Sequence, residues 1–242
     1  MKRRQFFATG VALTAALSKP SWVNALDADN QYRNEIGIQL YTLRNEIKED
    51  VIGTLKAVAD AGYKQVEPYG FPNADEMIRE AKSNGMAVNS SHIDTDGILF
   101  PDRKGVQPFD ELLEKANELG LSHLVVPYLG AEWRDSSDKY KLVAERCNAA
   151  AEKAKSAGIQ LAYHNHSFEF KPLTGDKCGY DIFMEEFSPD MKFEVDVFWV
   201  AVAGKNISDL IQKLSGRVTQ LHLKDLDRSV SPPVYDSIPK QA

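Results

Sequence analysis

Two histidines one residue apart, His164 and His166, with Glu169 three residues further on, are the densest group of candidate ligands and proton carriers in the chain; they fall in the run Leu161-Ala162-Tyr163-His164-Asn165-His166-Ser167-Phe168-Glu169-Phe170. Alternate residues of a strand point to one face, so His164 and His166 are expected to project together. Polar side chains recur at the ends of other apolar runs: Tyr41, Glu67, His92, Asp196, His222 and Lys224. Four of the five histidines occupy such ends, and His123, which begins its run, reads as structural. His164, Asp196 and His222 together make a nitrogen and oxygen donor set with positions left open, which suits Mn²⁺, Fe²⁺, Co²⁺ or Zn²⁺. A hydrogen-bonded polar network without an ion is the alternative reading of the same residues.

The elements that must position these side chains repeat one unit: an amphipathic helix, a glycine, then a short apolar strand. Helical spacing places Val51, Ile52, Leu55, Val58 and Ala59 on one stripe before Gly62, and Tyr140, Val143, Ala144, Cys147, Ala151 and Ala154 on another before Gly158. Strands are expected at 36–41, 63–67, 86–91, 122–127, 159–164, 191–196 and 217–223. Alternation of helix and strand predicts a parallel sheet, and a long run without a change of pattern favours a closed (β/α)-barrel. A doubly wound open sheet is the alternative, but no glycine-rich phosphate loop follows the first strand. Barrel sites lie at the carboxyl ends of the strands, where the polar residues fall. In the last two strands Lys192, Glu194 and Asp196, and Gln220, His222 and Lys224, are expected to face the interior, leaving Phe193, Val195, Leu221 and Leu223 to pack on outer helices. Seven strands are legible, so the expectation is a (β/α)8 barrel over 36–228 that lacks its eighth strand, with a tail over 229–242.

Composition narrows the function. The 242 residues carry a net charge of −6 and no basic stripe, which argues against a nucleic-acid partner. The one long apolar run is near the N-terminus and too short to span a membrane. It follows Lys2-Arg3-Arg4-Gln5-Phe6-Phe7, a twin-arginine pattern, and precedes Val23-Asn24-Ala25, so residues 1–25 read as an export signal, residues 26–35 as a lead-in and the mature protein as periplasmic. Removal of the signal leaves 25 basic against 35 acidic residues, a charge of −10. Cys147 and Cys178 could pair in an oxidising compartment, but Cys147 lies on an apolar helix stripe and reads better as a buried thiol.

The segments 38–44 (IQLYTLR), 62–67 (GYKQVE), 163–170 (YHNHSFEF), 194–196 (EVD) and 221–225 (LHLKD) resemble the xylose isomerase-like barrels known as sugar phosphate isomerases/epimerases, over about Ile36 to Arg228. The resemblance implies a divalent metal, Mn²⁺ or Zn²⁺, held by Asp196 and His222, with His164 at the position of the family's strand-five glutamate and Glu169 as the nearby alternative. Trp199 stands where epimerases carry a substrate-binding histidine, and Arg228 matches a family arginine. Tyr41, His92, His166 and Lys224 complete the expected substrate contacts. The implied reaction is metal-assisted proton abstraction beside the carbonyl of an unphosphorylated sugar, with Glu67, His164 or Glu169 as base. A lyase or dehydratase resembling inosose dehydratase, an inactive sugar-binding barrel, or a nuclease of the same superfamily are the alternatives. The sequence is compatible with an oligomer.

Overall fold

The computed structural model describes residues 35–235 apart from 174, 176 and 228. The export signal read over 1–25, nearly all of the lead-in, Arg228 and residues 236–242 lie outside the described residues. From Ile36 onward the chain forms one compact unit. No described helix is long and apolar enough to cross a membrane.

Seven strands alternate with helices: β1 (Gly37–Gln39), β2 (Gln65–Glu67), β3 (Ser90–His92), β4 (His123–Val126), β5 (Gln160–His164), β6 (Lys192–Asp196) and β7 (Val218–His222). The helices are α1 (Arg44–Glu49), α2 (Val51–Asp60), α3 (Asp75–Ser83), α4 (Asp96–Leu99), α5 (Phe109–Glu118), α6 (Ser137–Ser156), α7 (Gly179–Glu186), α8 (Val197–Val202) and α9 (Ile207–Lys213). Every strand pairing is parallel, in the order β1-β2 and β3-β4-β5-β6-β7. Hydrogen bonds from Val66 N–H to Ala87 O (3.0 Å) and from His92 N–H to Pro68 O (2.9 Å) join the two sheets into one curled surface. The curl is tight enough for a β7 side chain, His222, to reach Glu67 of β2 at 2.9 Å. This is a TIM-barrel fold with, among the described residues, no eighth strand.

The longest helix shows why the alternation forms. Tyr140, Val143, Ala144, Cys147, Ala150, Ala151 and Ala154 of α6 are all buried, one stripe at spacings of three and four. Ser136 caps its start by accepting from Lys139 N–H, and Gly158 (φ +78°) turns the chain out of it in the left-handed conformation that glycine adopts without penalty. The stripe packs on Leu161, Tyr163, Phe193 and Val195, the outward residues of β5 and β6, in one continuous core. Each such large side chain contributes roughly 1.5–3 kcal/mol by leaving water. Val125 and Ala162 are buried too, but on the inner side of the sheet, apart from that core.

Three expectations change. The first strand stops at Gln39, because the Gln39 side-chain oxygen accepts from Tyr41 N–H at 2.6 Å and folds residues 40–43 into a 3-10 turn. Helix α8 starts directly on Asp196, where no helix was expected. Leu221 and Leu223, expected under outer helices, are 47% and 77% exposed, since no described helix follows β7 to cover them.

Candidate metal centre and cavity

Register and curl bring the polar strand ends into one space. His164 is level with Glu194, and Asp196 with His222, across adjacent parallel strands. The Asp196 carboxylate is fixed from below: Oδ1 accepts from Phe198 N–H (3.0 Å) and Trp199 N–H (3.4 Å), capping α8. The Asn165 side chain clamps the Asp196 backbone, accepting from its N–H at 3.0 Å and donating to its carbonyl at 3.2 Å. Asp196 Oδ2 is left to face Lys224 Nζ (2.6 Å), His164 Nε2 (3.4 Å) and His222 Nδ1 (3.7 Å). His164, Asp196 and His222 thus offer donor atoms that all lie within 4.8 Å of one another, two residues buried and the third nearly so.

Charge is arranged around that point. Burial opposes ionisation of Asp196, but hydrogen bonds from His164 and His222 and the charge of Lys224 outweigh it and hold the carboxyl far below its usual range. Burial also pushes His164 down, so its imidazole is neutral. His222 goes the other way: although buried, it faces Glu194, Asp196 and Glu67, which raise it well above an ordinary imidazole. His222 Nε2 lies 2.9 Å from Glu67 Oε2, the carboxylate–histidine pairing that fixes a metal ligand's tautomer and orientation.

A cavity of about 1400 Å³ opens over these residues. His92, His164, His166, His222 and Lys224 form its polar wall, and Tyr41, Tyr128, Phe168 and Trp199 its aromatic one. His166 has left the strand, which ends at His164, yet the two rings still meet edge to face at 5.0 Å. Its imidazole stacks on Phe168 (5.3 Å, 10°) and leans on Trp199 (5.0 Å). Burial first, and then His164, pull His166 well below the usual value, so it stays neutral. Tyr69 also lines the cavity, edge to face with Tyr41, whereas Trp133 packs on Phe100 away from it.

The two acids read as bases sit elsewhere. Glu169 is fully buried off the cavity, one oxygen accepting from Tyr163 Oη (2.7 Å) and the other from His166 N–H (2.9 Å), and burial raises it to about 7. Glu67 lies beneath the rim, accepting from Ser90 Oγ (2.5 Å) and Gln220 Nε2 (3.1 Å) as well as facing His222. Neither carboxylate fronts the open space, so a proton-abstracting role for Glu67 or Glu169 does not fit where the fold puts them. The residue that sequence reasoning missed is Glu194. It is 1% exposed, 2.8 Å from His92 Nε2 through Oε2 and 3.3 Å from His222 Nε2 through Oε1. Its signal was the alternation that places it on the same face as Asp196. Cys147 and Cys178 are both buried and unpaired.

The family model described as Xylose isomerase-like TIM barrel matches residues 55–236. A sugar phosphate isomerase/epimerase from Parabacteroides distasonis is similar in structure, with a TM-score of 0.66, 28% identity and coverage of 79% of this chain and 75% of that one. A second sugar phosphate isomerase/epimerase from the same organism has a TM-score of 0.70 at 25% identity, covering 84% of this chain and 83% of its own. A probable 3-DHS dehydratase from Bacillus anthracis shares the fold, with a TM-score of 0.61 and 12% identity over 81% of this chain and 74% of that one. Among curated proteins, a titin homolog of Caenorhabditis elegans is 27% identical over 139 residues; the match takes in 57% of this chain, which spans 1% of that protein's length.

Proposed function

The chain belongs to the xylose isomerase-like TIM barrel family, and from that premise we propose that it is a sugar isomerase or epimerase that moves a proton on the carbon beside a carbonyl, with a divalent ion, Mn²⁺ or Zn²⁺, held by His164, Asp196 and His222. The observation that carries this reading is the convergence of those three donors, within 4.8 Å, under an open cavity. Bound there, the ion would polarise a carbonyl and its neighbouring hydroxyl as a Lewis acid.

The chain's own side chains supply the rest. His166, neutral and at the cavity wall, takes the proton from the carbon. The Lys224 ammonium, anchored 2.6 Å from Asp196 Oδ2, donates to oxygen as negative charge grows on it. Trp199, Tyr128 and Phe168 present ring faces and edges that suit the C–H side of a sugar and keep water from the reacting carbon. Tyr41 and His92, which also line the cavity, are substrate contacts, and Arg228 is assigned the same role from the resemblance alone. Glu67 and Glu169 act as positioning residues, one for the His222 ring and one for the His166 backbone. The substrate is an unphosphorylated sugar, keto-sugar or glycoside, because phosphorylated sugars are scarce outside the cytoplasm and residues 1–25 read as an export signal.

The test is isotopic. Protein loaded with Mn²⁺ is incubated in D2O with a panel of ketohexoses and keto-glycosides, and deuterium at the carbon beside the carbonyl is read by NMR. Incorporation that is lost in Asp196→Asn and His166→Gln supports the proposal. A dehydrated product in place of an epimer assigns the lyase branch of the same deprotonation. No incorporation with any member of the panel, from a protein shown to bind the ion, overturns it.

A further inference from the structure

Below the rim lies a second set of donors, which shares His222 with the rim and adds two buried carboxylates that take no part in the reaction proposed above. Glu67, His92, Glu194 and His222 offer one ligand atom each, all within 4.8 Å of one another. The atoms converge from four strands: β2, β3, β6 and β7. His92 Nε2 stands 2.8 Å from Glu194 Oε2 and 3.2 Å from Glu67 Oε2. His222 Nε2 stands 2.9 Å from Glu67 Oε2 and 3.3 Å from Glu194 Oε1. Ligands on a tetrahedral ion with bonds of about 2.0–2.1 Å are roughly 3.3 Å apart, and the four imidazole–carboxylate contacts here, 2.8–3.3 Å, lie within about half an ångström of that separation.

Two features point to a ligand rather than to a completed hydrogen-bond network. Glu194 is 1% exposed, yet its Oε1 has no hydrogen-bond partner. Two carboxylates, Glu67 and Glu194, are buried side by side, each within 3.3 Å of the Nε2 atoms of His92 and His222. A divalent cation, displacing the imidazole protons that now face the two carboxylates, supplies the partner that Glu194 Oε1 lacks. Two imidazole nitrogens and two carboxylate oxygens suit Zn²⁺, Fe²⁺ or Mn²⁺.

We propose that Glu67, His92, Glu194 and Nε2 of His222 form a second divalent-cation seat on the floor of the barrel, alternative to the rim seat of His164, Asp196 and His222. The proposal rests on the rim reading for one point, that His222 serves both seats. The rim approaches His222 from Nδ1 and the floor from Nε2. A neutral imidazole has one lone pair, so an ion in one seat leaves a proton on the nitrogen that faces the other. One ion therefore occupies the chain at a time; on the floor two of its ligands, His92 and His222, line the cavity, whereas Glu67 and Glu194 do not.

The experiment is equilibrium dialysis of the full chain against Zn²⁺, with bound metal counted by mass spectrometry, and against Co²⁺, whose visible spectrum reports the ligand set. Wild type is expected to bind one ion. His164→Gln/Asp196→Asn is expected to keep one ion with a changed Co²⁺ spectrum, and to lose it, with affinity falling at least 100-fold, when His92→Gln is added. If the rim variant binds no ion while its circular dichroism is native, the floor seat is overturned and the rim reading survives. If wild type binds no ion, both fail. An ion kept by the rim variant but lost in Glu194→Gln alone supports the floor seat and overturns the rim. Should the rim variant fail to fold, His92→Gln and Glu194→Gln in the otherwise native chain decide: an altered Co²⁺ spectrum supports the floor seat, and an unchanged one overturns it.

Discussion

Removing one hydroxyl, by Tyr163→Phe, tests how the loop carrying His166 is held. Glu169 is fully buried and its two oxygens accept from Tyr163 Oη and His166 N–H. Burial raises its pKa from 4.5 to about 7, against the opposing pull of the Tyr163 hydrogen bond. A group whose folded value lies above its unfolded one stabilises the fold fully below the unfolded value and loses that contribution as pH rises through the folded value. Glu169 therefore favours the fold at about pH 4.5 and below, and ceases to do so above about pH 7, a change of about 3 kcal/mol. The phenol hydrogen bond to the ionised carboxylate is worth about 1.5–3 kcal/mol, and to the protonated acid about 0.5–1.5. Tyr163→Phe is thus expected to lose about 2 kcal/mol at about pH 8.5 and about 1 at about pH 5.5, relative to wild type at the same pH. Urea unfolding followed by tryptophan fluorescence measures both, and comparison at matched pH cancels the other titrating groups. Equal losses at the two pH values, or a larger loss in acid, would refute the placement of the buried carboxylate beside that hydroxyl.

Two further outcomes follow from packing. Gly179 opens α7 against the Tyr140 ring, which an added Cβ would overlap, so Gly179→Ala is expected to destabilise the fold by about 1–3 kcal/mol, read as a lower urea midpoint with an unchanged slope. Burial pushes the Cys147 thiol up to about 12 and that of Cys178, buried beside Asp181, up to about 11, so neither should react with an aromatic disulfide reagent at neutral pH until urea unfolds the chain; prompt release of one thiolate per chain would contradict that burial.

The repeat of stripe, glycine and apolar strand made the parallel barrel legible, because burying the helix stripes on the strands' outward side is what drives both elements to form. It also put Asp196, His222 and Lys224 on the inward face by alternation alone. Less legible was anything set by contacts distant in sequence. His166 was expected beside His164 as a strand neighbour, but Asn165 uses its side chain to pair with the Asp196 backbone, and the strand ends one residue earlier. The rings meet all the same, by a route that alternation does not describe. Leu221 and Leu223 show the complementary gap: period gives the face a residue points to, and says nothing of whether another element covers that face.

Glu67, Glu169 and Glu194 make the point most sharply, because as letters they are equivalent. Attention to strand ends selects Glu67 and passes over Glu194, which lies two residues short of the end of β6. In the curled sheet that difference in height is small, and both carboxylates come within 3.3 Å of the Nε2 atoms of His92 and His222. Glu169, nearest in sequence to the two histidines, turns outward into the layer of Tyr163 and the helices. Proximity along the chain selected it as a base, whereas distance across the barrel decides which acids share a charge with the imidazoles. What a carboxylate can do here is set by which of its oxygens already has a donor: both in Glu169 and in Asp196, whereas Glu194 keeps an oxygen with none. An oxygen without a donor, rather than the acid as a residue type, is what sets Glu194 apart.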